Sequence, residues 1–450
     1  MPSPATPDVP LRGVDDLLAP FEAAQKPREQ WRIGTEAEKF GVLATAKPAP
    51  FDAGVAEVLA ALVERHGWIA QREYADRPVI ALRRGAANIT LEPGAQLELS
   101  GAPLDTIHQT REEFAGHMAE AVAAGHALGI RWITLGFRPF ARQADLPWVP
   151  KLRYAVMREY LPTRGARGLD MMRRTATVQA NLDYANADDA FEKLRIALRV
   201  QPIVSAMFAN APYYEGRDTG HASHRLDVWG DVDPDRTGLL VDLWDGPASY
   251  ARYVEWALDA PMFLVLRAGQ VHRNTGQTFR AFMKDGFEGL RATQQDWETH
   301  LNTLFPEARL KRTLEMRGAD GQSQATLTAV PALWKGLLYD DEARAQAASL
   351  ASKITPEALR EAQPAIAREA LRAPLQGRPV AEWASDLLGI AESGLRRLGN
   401  LDAAGDDEGI HLSPMRALLD LGHCPADALR ARVGATPSLD ALREAGVVYG

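Results

Sequence analysis

The chain has 450 residues, 46% of them hydrophobic and 24% charged, with a formal net charge of -8 and one cysteine, Cys424. Such a chain can bury a large core or several smaller ones. Its acidic balance argues against a nucleic-acid binder, and one cysteine excludes an intramolecular disulfide. No run of about 18 apolar residues marks a membrane span. The first ten residues carry neither a signal-peptide core nor a transit pattern, so a cytoplasmic protein is expected.

In chain order, a Pro-rich tail leads into a helix over residues 14–25, and a strand follows through Thr35-Glu36-Ala37-Glu38-Lys39-Phe40. Side chains alternate along a strand, so Glu36 and Glu38 share one face. Two carboxylates about 7 Å apart repel each other unless water or a cation lies between them. A single Glu-x-Glu is usually a solvated face; this one carries weight because the arrangement recurs. Residues 53–66 have Val55, Val58, Leu59 and Leu62 at helical spacing, with Gly67 as a stop. Strands are expected around 79–82 and over 89–99, where Glu92 and Glu98 lie opposite leucines and Pro93-Gly94 interrupts the run. A long helix over 105–128, closed by Gly129, precedes a strand over 131–137 and a short helix over 154–160. Strand, strand, helix, strand is an α+β order.

The third polar face is on residues 175–183, where Thr177, Gln179, Asn181 and Asp183 oppose Val178, Ala180 and Leu182. A helix capped near Asn186 follows. Residues 213–246, rich in Gly, His and Asp, read as a long functional loop. The fourth face is on 310–317, where Glu315 and Arg317 oppose Leu314 and Met316. Beyond Trp334 the composition turns helical, with three helices over 341 to about 398 and shorter pieces over 414–446. If the four strands pair in one sheet, their polar faces pool in a cleft.

Glutamates with Gln and Asn beside them suit hard divalent cations, which take oxygen ligands and leave positions for phosphates. Arg174, Arg225, Lys311, Arg312 and Arg317 are the candidates for holding phosphate or carboxylate groups. The pairs Arg173-Arg174 and Lys311-Arg312 also read as solvated basic edges. His221 and His224 lack the further ligands of a zinc pattern, and Cys424 reads as packing. No P-loop, dinucleotide fingerprint or nucleophile elbow is present.

These residues resemble the plant-type glutamate–cysteine ligases, a branch shared by plants and many proteobacteria. The resemblance rests on Arg32-Ile33-Gly34-Thr35-Glu36-Ala37-Glu38-Lys39-Phe40, on Leu91-Glu92-Pro93-Gly94 through Glu98-Leu99-Ser100-Gly101-Ala102-Pro103, and on His108-Gln109-Thr110. It continues through Gly168-Leu169-Asp170-Met171-Met172, Arg174-Thr175, residues 177–183, Phe208-Ala209-Asn210 and Asp235-Arg236-Thr237-Gly238. It ends on Leu310-Lys311-Arg312 and Glu315-Met316-Arg317-Gly318-Ala319-Asp320. The matches run nearly in register over about 31–339 and more loosely through the helical tail.

The resemblance implies ATP-dependent joining of the glutamate γ-carboxylate to the cysteine amine through γ-glutamyl phosphate, the first step of glutathione synthesis. The fold it implies is α+β: a curved, mostly antiparallel sheet with helices on its outer face, like the glutamine synthetase catalytic core. Residues 1–30 would be a tail and helix, 31–340 the ATP- and glutamate-binding core, and 341–450 a helical region packed on it. Glu36, Glu38, Glu92, Glu98 and Glu315 would hold two or three Mg²⁺ (or Mn²⁺) ions, with Glu36, Glu38 and Arg317 at the chemistry. Arg174 and Arg225 would clamp glutamate, Gln179 and Asn181 would support it, and Lys311, Arg312 and Arg317 would meet the phosphates. The implied partners are L-glutamate, L-cysteine and ATP, with neither nucleic acid nor membrane, on a monomer or homodimer. With one cysteine, the redox switch of the plant enzymes should be absent. Two other readings are a glutamate ligase with a different amine acceptor and a non-catalytic paralogue, which would have lost some of the paired Glu or clamp Arg residues.

Overall fold

The architecture follows from one long strand. In the computed structural model, which describes residues 9–267 and 269–450, Ile33–Leu43 (β1) has eleven residues and lies at the centre of a ten-stranded sheet. We number only the strands of this sheet: Ile69–Gln71 (β2), Ala81–Arg84 (β3), Ala87–Leu91 (β4), Leu97–Ser100 (β5), Ile130–Ile133 (β6), Thr177–Leu182 (β7), Ala308–Leu310 (β8), Leu314–Asp320 (β9) and Val448–Tyr449 (β10). The order is β8-β9-β7-β1-β5-β4-β3-β2, and every pairing is antiparallel. The far half of β1 pairs instead with β6, through Phe40 opposite Ile133, and β10 extends that edge. The α+β class and mostly antiparallel sheet expected above are therefore present.

Alternation places the apolar positions on one side. Ile33, Ala37, Leu97, Leu99, Val178, Ala180, Leu182, Leu314 and Met316 are buried in a single core. That core is covered by the helices Ile107–His126, Ala187–Met207 and Ala329–Leu338. It runs without a break into the later helices, where Trp383, Leu388 and Leu395 belong to the same cluster as β1 and β7. A smaller cluster of Phe40, Val42, Ile133, Leu429, Leu442 and Val448 closes the β6 end.

Helix ends are set by local chemistry. Thr106 makes a capping box with Gln109 and starts Ile107–His126, two residues after the expected start. The helix expected over 53–66 begins in earnest at Ala56 and ends at Gly67, whose φ of 69° suits a left-handed cap. The three helices expected over 341–398 are Asp341–Ala351, Pro356–Glu369 and Val380–Leu398. The expected loop over 213–246 is a correction. It contains a hairpin at Tyr213–Tyr214 and Arg217–Asp218 and a helix, His224–Trp229, which Ser223 caps through the Leu226 N–H. Six residues are too few for a helical period to register in the sequence. The strand β10 was also outside the sequence reading. Most of the Pro-rich tail lies outside the described residues. Among the described residues, no helix is long and apolar enough to cross a membrane.

Two glycines let helices Ala329–Leu338 and Val380–Leu398 meet backbone to backbone. A Cβ on Gly394 would stand 2.1 Å from the Gly336 carbonyl oxygen, and one on Gly336 would stand 2.4 Å from the Ala391 carbonyl oxygen. Gly394→Ala should therefore destabilise the fold by about 1–3 kcal/mol through overpacking. Denaturant unfolding measures this, and an unchanged midpoint would mean that the two helices part without cost.

Candidate active site

The sheet's second face carries three rows of polar side chains, read directly from the register. The first row runs Arg309, Glu315, Asn181 and Gly34; the second runs Gln179, Glu36, Ser100 and Asn88; the third holds Glu38, Glu98 and Thr90. Residues opposite each other on paired strands share a face, so four segments far apart in sequence meet here. Gly34 keeps the first row close, since a Cβ there would lie 3.2 Å from that of Asn181.

One end of the face compensates its own charge. Glu315 is buried, and Arg309 grips it with Nη2 2.8 and 2.9 Å from its two oxygens and Nε at 3.0 Å. Lys311 Nζ lies 3.2 Å away and Arg317 also donates to it. Burial pushes the Glu315 carboxyl up, but Arg309, then Lys311 and Arg317, outweigh it and hold it well below the usual carboxylate range. A bulge between Met316 and Ala319 gives Arg317 room to donate to Gln179 Oε1 at 2.8 Å. Asn181 donates to Glu36 at 3.1 Å and accepts from Thr313 at 3.2 Å.

The other end is uncompensated. Glu38 is raised well above the normal range by burial and by the charges of Glu98 and Glu92. Glu98 is pushed up to about 8 by burial, then by Glu36 and Glu92, although the Thr90 hydroxyl donates to it. No lysine or arginine nitrogen among the described residues closes to ion-pair distance on Glu36, Glu38, Glu92 or Glu98. A crowded set of oxygen donors, in which Glu38 and Glu98 resist ionisation through burial and mutual repulsion, fits a hard divalent cation. The five predicted metal glutamates are not gathered equally: Glu315 belongs to the compensated end. Among the described residues no group of three or more His, Cys, Asp or Glu stands closed around a metal position.

The predicted cations divide in the same way. Arg225 lies on the short helix beside Glu38, its guanidinium donating to the Gly318 carbonyl at 3.1 Å and to that of Arg317 at 2.9 Å. Arg174 is 1% exposed and engaged with Asp170 at 3.1 Å, Glu215 at 2.8 Å and the Ala141 carbonyl. Arg312 points outward, its side chain 62% exposed and paired with Glu298. His224 packs against Phe137 and Tyr214, and its imidazole is pushed down to about 4 by burial and then by Arg167. The Cys424 thiol is buried and donates to Asp427 at 3.2 Å.

Several groups at the face were missed in the sequence. Lys151 and Arg153 stand at the start of helix Leu152–Tyr160 and face Glu92. Lys151 Nζ donates to the Leu91 carbonyl at 2.7 Å, and Arg153 reaches the Tyr154 hydroxyl at 3.5 Å. Neither makes an ion pair within contact distance. Burial, then Arg153, pushes Lys151 down to about 8. No periodicity links this segment to the sheet. Arg309 could have been found, because the β8–β9 hairpin sets it directly opposite Glu315.

With this geometry established, comparisons give the class. The model of glutamate–cysteine ligase family 2 matches residues 32–445. Glutamate–cysteine ligase B, chloroplastic, of Oryza sativa subsp. japonica is 41% identical over 419 residues, 92% of this chain and 83% of that protein. The chloroplastic glutamate–cysteine ligase of Brassica juncea is 43% identical over 392 residues, 86% of this chain and 75% of that one. A crystal structure of glutamate–cysteine ligase from Francisella tularensis in complex with AMP shares the fold, with a TM-score of 0.58 at 14% identity, over 92% of this chain and 88% of that one. The class is thus a ligase built on an antiparallel sheet with one acidic face. The chain belongs to the glutamate–cysteine ligase family, and ligation of glutamate to cysteine is its activity.

One expectation is overturned. The plant relatives are named as chloroplastic, which contradicts the expectation of a cytoplasmic protein. A single cysteine excludes an internal bridge in any compartment and does not choose between reducing ones.

The uncompensated carboxylates make stability depend on pH. Glu98 titrates near its ordinary 4.5 when unfolded and at about 8 when folded. The folded state binds the proton more tightly, so the stability this group supplies is complete below about pH 4.5 and is lost as pH rises through about 8. Metal-free protein should show a falling melting temperature over that window. Glu98→Gln should flatten the fall, and Mg²⁺ should reverse it in the parent chain only. Equal slopes for both proteins would place Glu98's charge elsewhere.

Proposed function

We propose that the uncompensated half of this face activates the γ-carboxylate of L-glutamate with ATP and passes the acyl group to the amine of L-cysteine. A γ-carboxylate oxygen attacks the terminal phosphorus of ATP, and the bond from that phosphorus to the bridging oxygen breaks, giving γ-glutamyl phosphate and ADP. The cysteine nitrogen then adds to the acyl carbon, gives up a proton, and phosphate leaves as the amide forms. No protein nucleophile is needed, which agrees with the inert setting of Cys424.

The observation that carries this reading is the pairing of four carboxylates that have no ion-pair partner among the described residues with nearby cations, Lys151 and Arg153, that have none either. Glu36, Glu38, Glu92 and Glu98 would hold Mg²⁺, which when bound supplies positive charge against the phosphates. Glu315, already neutralised, would serve to anchor Arg317 and Lys311 at the phosphate end. Arg225 and Arg153 would hold the carboxylates of glutamate, with Lys151 beside them. Arg174 would have to give up Asp170 and Glu215 to do so, which makes it a wall residue in this reading. Arg312 takes no part. Residues 31–340 would form the catalytic unit, with 341–450 packed on it and 1–30 preceding it.

The direct test is ADP release with ATP, Mg²⁺ and glutamate, with and without cysteine and with other amines in its place. Rapid release only with cysteine, with γ-glutamylcysteine identified by mass, is expected; preference for another amine would move the acceptor. In the same assay Glu98→Gln should lose nearly all turnover while remaining folded. Arg153→Met should raise the glutamate KM by about tenfold or more, the loss of a charge-assisted contact. Arg174→Met should act mainly on melting temperature. If Arg174→Met moved the glutamate KM and Arg153→Met did not, the two roles would be exchanged.

A further inference from the structure

A buried carboxylate behind Arg225 has no part in the chemistry above. Asp320 ends β9 and is 1% exposed. Its Oδ2 accepts from the Asn210 backbone N–H at 2.7 Å, and its Oδ1 accepts from the Ser223 hydroxyl at 2.9 Å. The Ser223 Oγ in turn accepts from the Leu226 N–H at 3.0 Å and starts the helix whose second residue is Arg225. Arg225 Nη1 stands 3.8 Å from Asp320 Oδ1. Room for the carboxylate is made by Gly136, where a Cβ would lie 2.5 Å from Asp320 Cβ and Cγ.

Neither hydrogen bond needs a negative charge. An amide at position 320 could accept from Asn210 with its oxygen and donate to Ser223 with its nitrogen, and the helix would still be capped. Burying the charge is costly. Burial raises the carboxyl to about 6, and the cation opposing that shift is Arg225. Arg225 is thus the cation on which the charge acts. Together with the carbonyls of Arg317 and Gly318 it holds the guanidinium on three sides, within electrostatic reach of Glu38.

We propose that Asp320 is the positioning residue for Arg225: it fixes both the start of its helix and the direction of its guanidinium, and so sets the affinity for a carboxylate of glutamate. The inference rests on the role given to Arg225 above, and the test separates the two. Steady-state kinetics are measured with saturating cysteine and MgATP for Asp320→Asn, Arg225→Met and the double variant. Asp320→Asn should raise the glutamate KM by about tenfold, with kcat and the ATP KM within about twofold. In the Arg225→Met background it should add nothing further, a coupling that general loosening of the fold would not produce.

If Arg225→Met raises the glutamate KM and Asp320→Asn does not, or if the two effects multiply, the positioning role is overturned while that of Arg225 stands. If Arg225→Met leaves the glutamate KM unchanged, both fall. Should Asp320→Asn melt below the assay temperature, Asp320→Glu keeps the charge one methylene further out. It should raise the glutamate KM and show the same non-additivity with Arg225→Met; simple additivity there overturns the proposal equally.

Discussion

Like charges on one sheet face set the terms for the rest of this structure. Strand alternation forces Glu36 and Glu38 to the same side, and antiparallel pairing sets Glu98 directly opposite Glu38. Carboxylates brought so close must be protonated, paired or bridged by a cation. The protein uses pairing at one end only. Arg309, Lys311 and Arg317 converge on Glu315, and the desolvation of that charge is offset by bidentate geometry. At the Glu98 end nothing among the described residues does the same. The asymmetry separates a scaffold from a site on one continuous surface.

Holding the uncompensated end open requires rigidity from behind. Glu92 and Glu98 flank a tight turn through Pro93 and Gly94, with Ala95 at φ 60°. The turn is stitched to the end of helix Gly168–Arg174: Arg138 donates to the Gly94 carbonyl at 2.7 Å and to that of Arg173 at 3.1 Å, and Gln96 donates to the Thr175 carbonyl at 3.0 Å. Gly94 is obligatory there, since a Cβ would sit 2.6 Å from the Arg173 carbonyl oxygen. Repulsion among the carboxylates would otherwise be relieved by moving this turn. Because it cannot move, the repulsion persists as a demand for positive charge, which is how a protein spends stability on a site.

The acidic rows were legible because a strand's period is two and cannot be shifted without turning every side chain over. Glu36, Glu38, Glu98, Gln179, Asn181, Glu315 and Arg317 could all be placed on one face from alternation alone. What alternation lacks is the partner of each strand. It could not show that Arg174, the last residue of helix Gly168–Arg174, would turn away to Asp170 and Glu215. The cations that lie beside the other end, Lys151 and Arg153, come from the start of a short helix joined to the sheet by tertiary packing. The helix bearing Arg225 was hidden for a related reason, being shorter than two turns inside a stretch rich in Gly and His. Compartment was misread because composition reports the redox setting and not the address.

Resemblance and geometry answer different questions about a charged residue. Resemblance pairs Arg174 with Arg225 at glutamate and groups Arg312 with the phosphate cations, yet their surroundings separate them by what their guanidinium groups have left to give. Arg174 is consumed by two carboxylates and a carbonyl, Arg312 by a surface pair, and Arg225 by carbonyls that leave its charge intact. A carbonyl orients a guanidinium without cancelling it, whereas a carboxylate in contact does both. The 3.8 Å between Asp320 and Arg225 lies between these cases. It is close enough to fix a direction and long enough to leave the cation attractive to a substrate anion. In the proposed reading, distance, more than residue type, decides between Arg174 and Arg225 as the arginine that acts on glutamate.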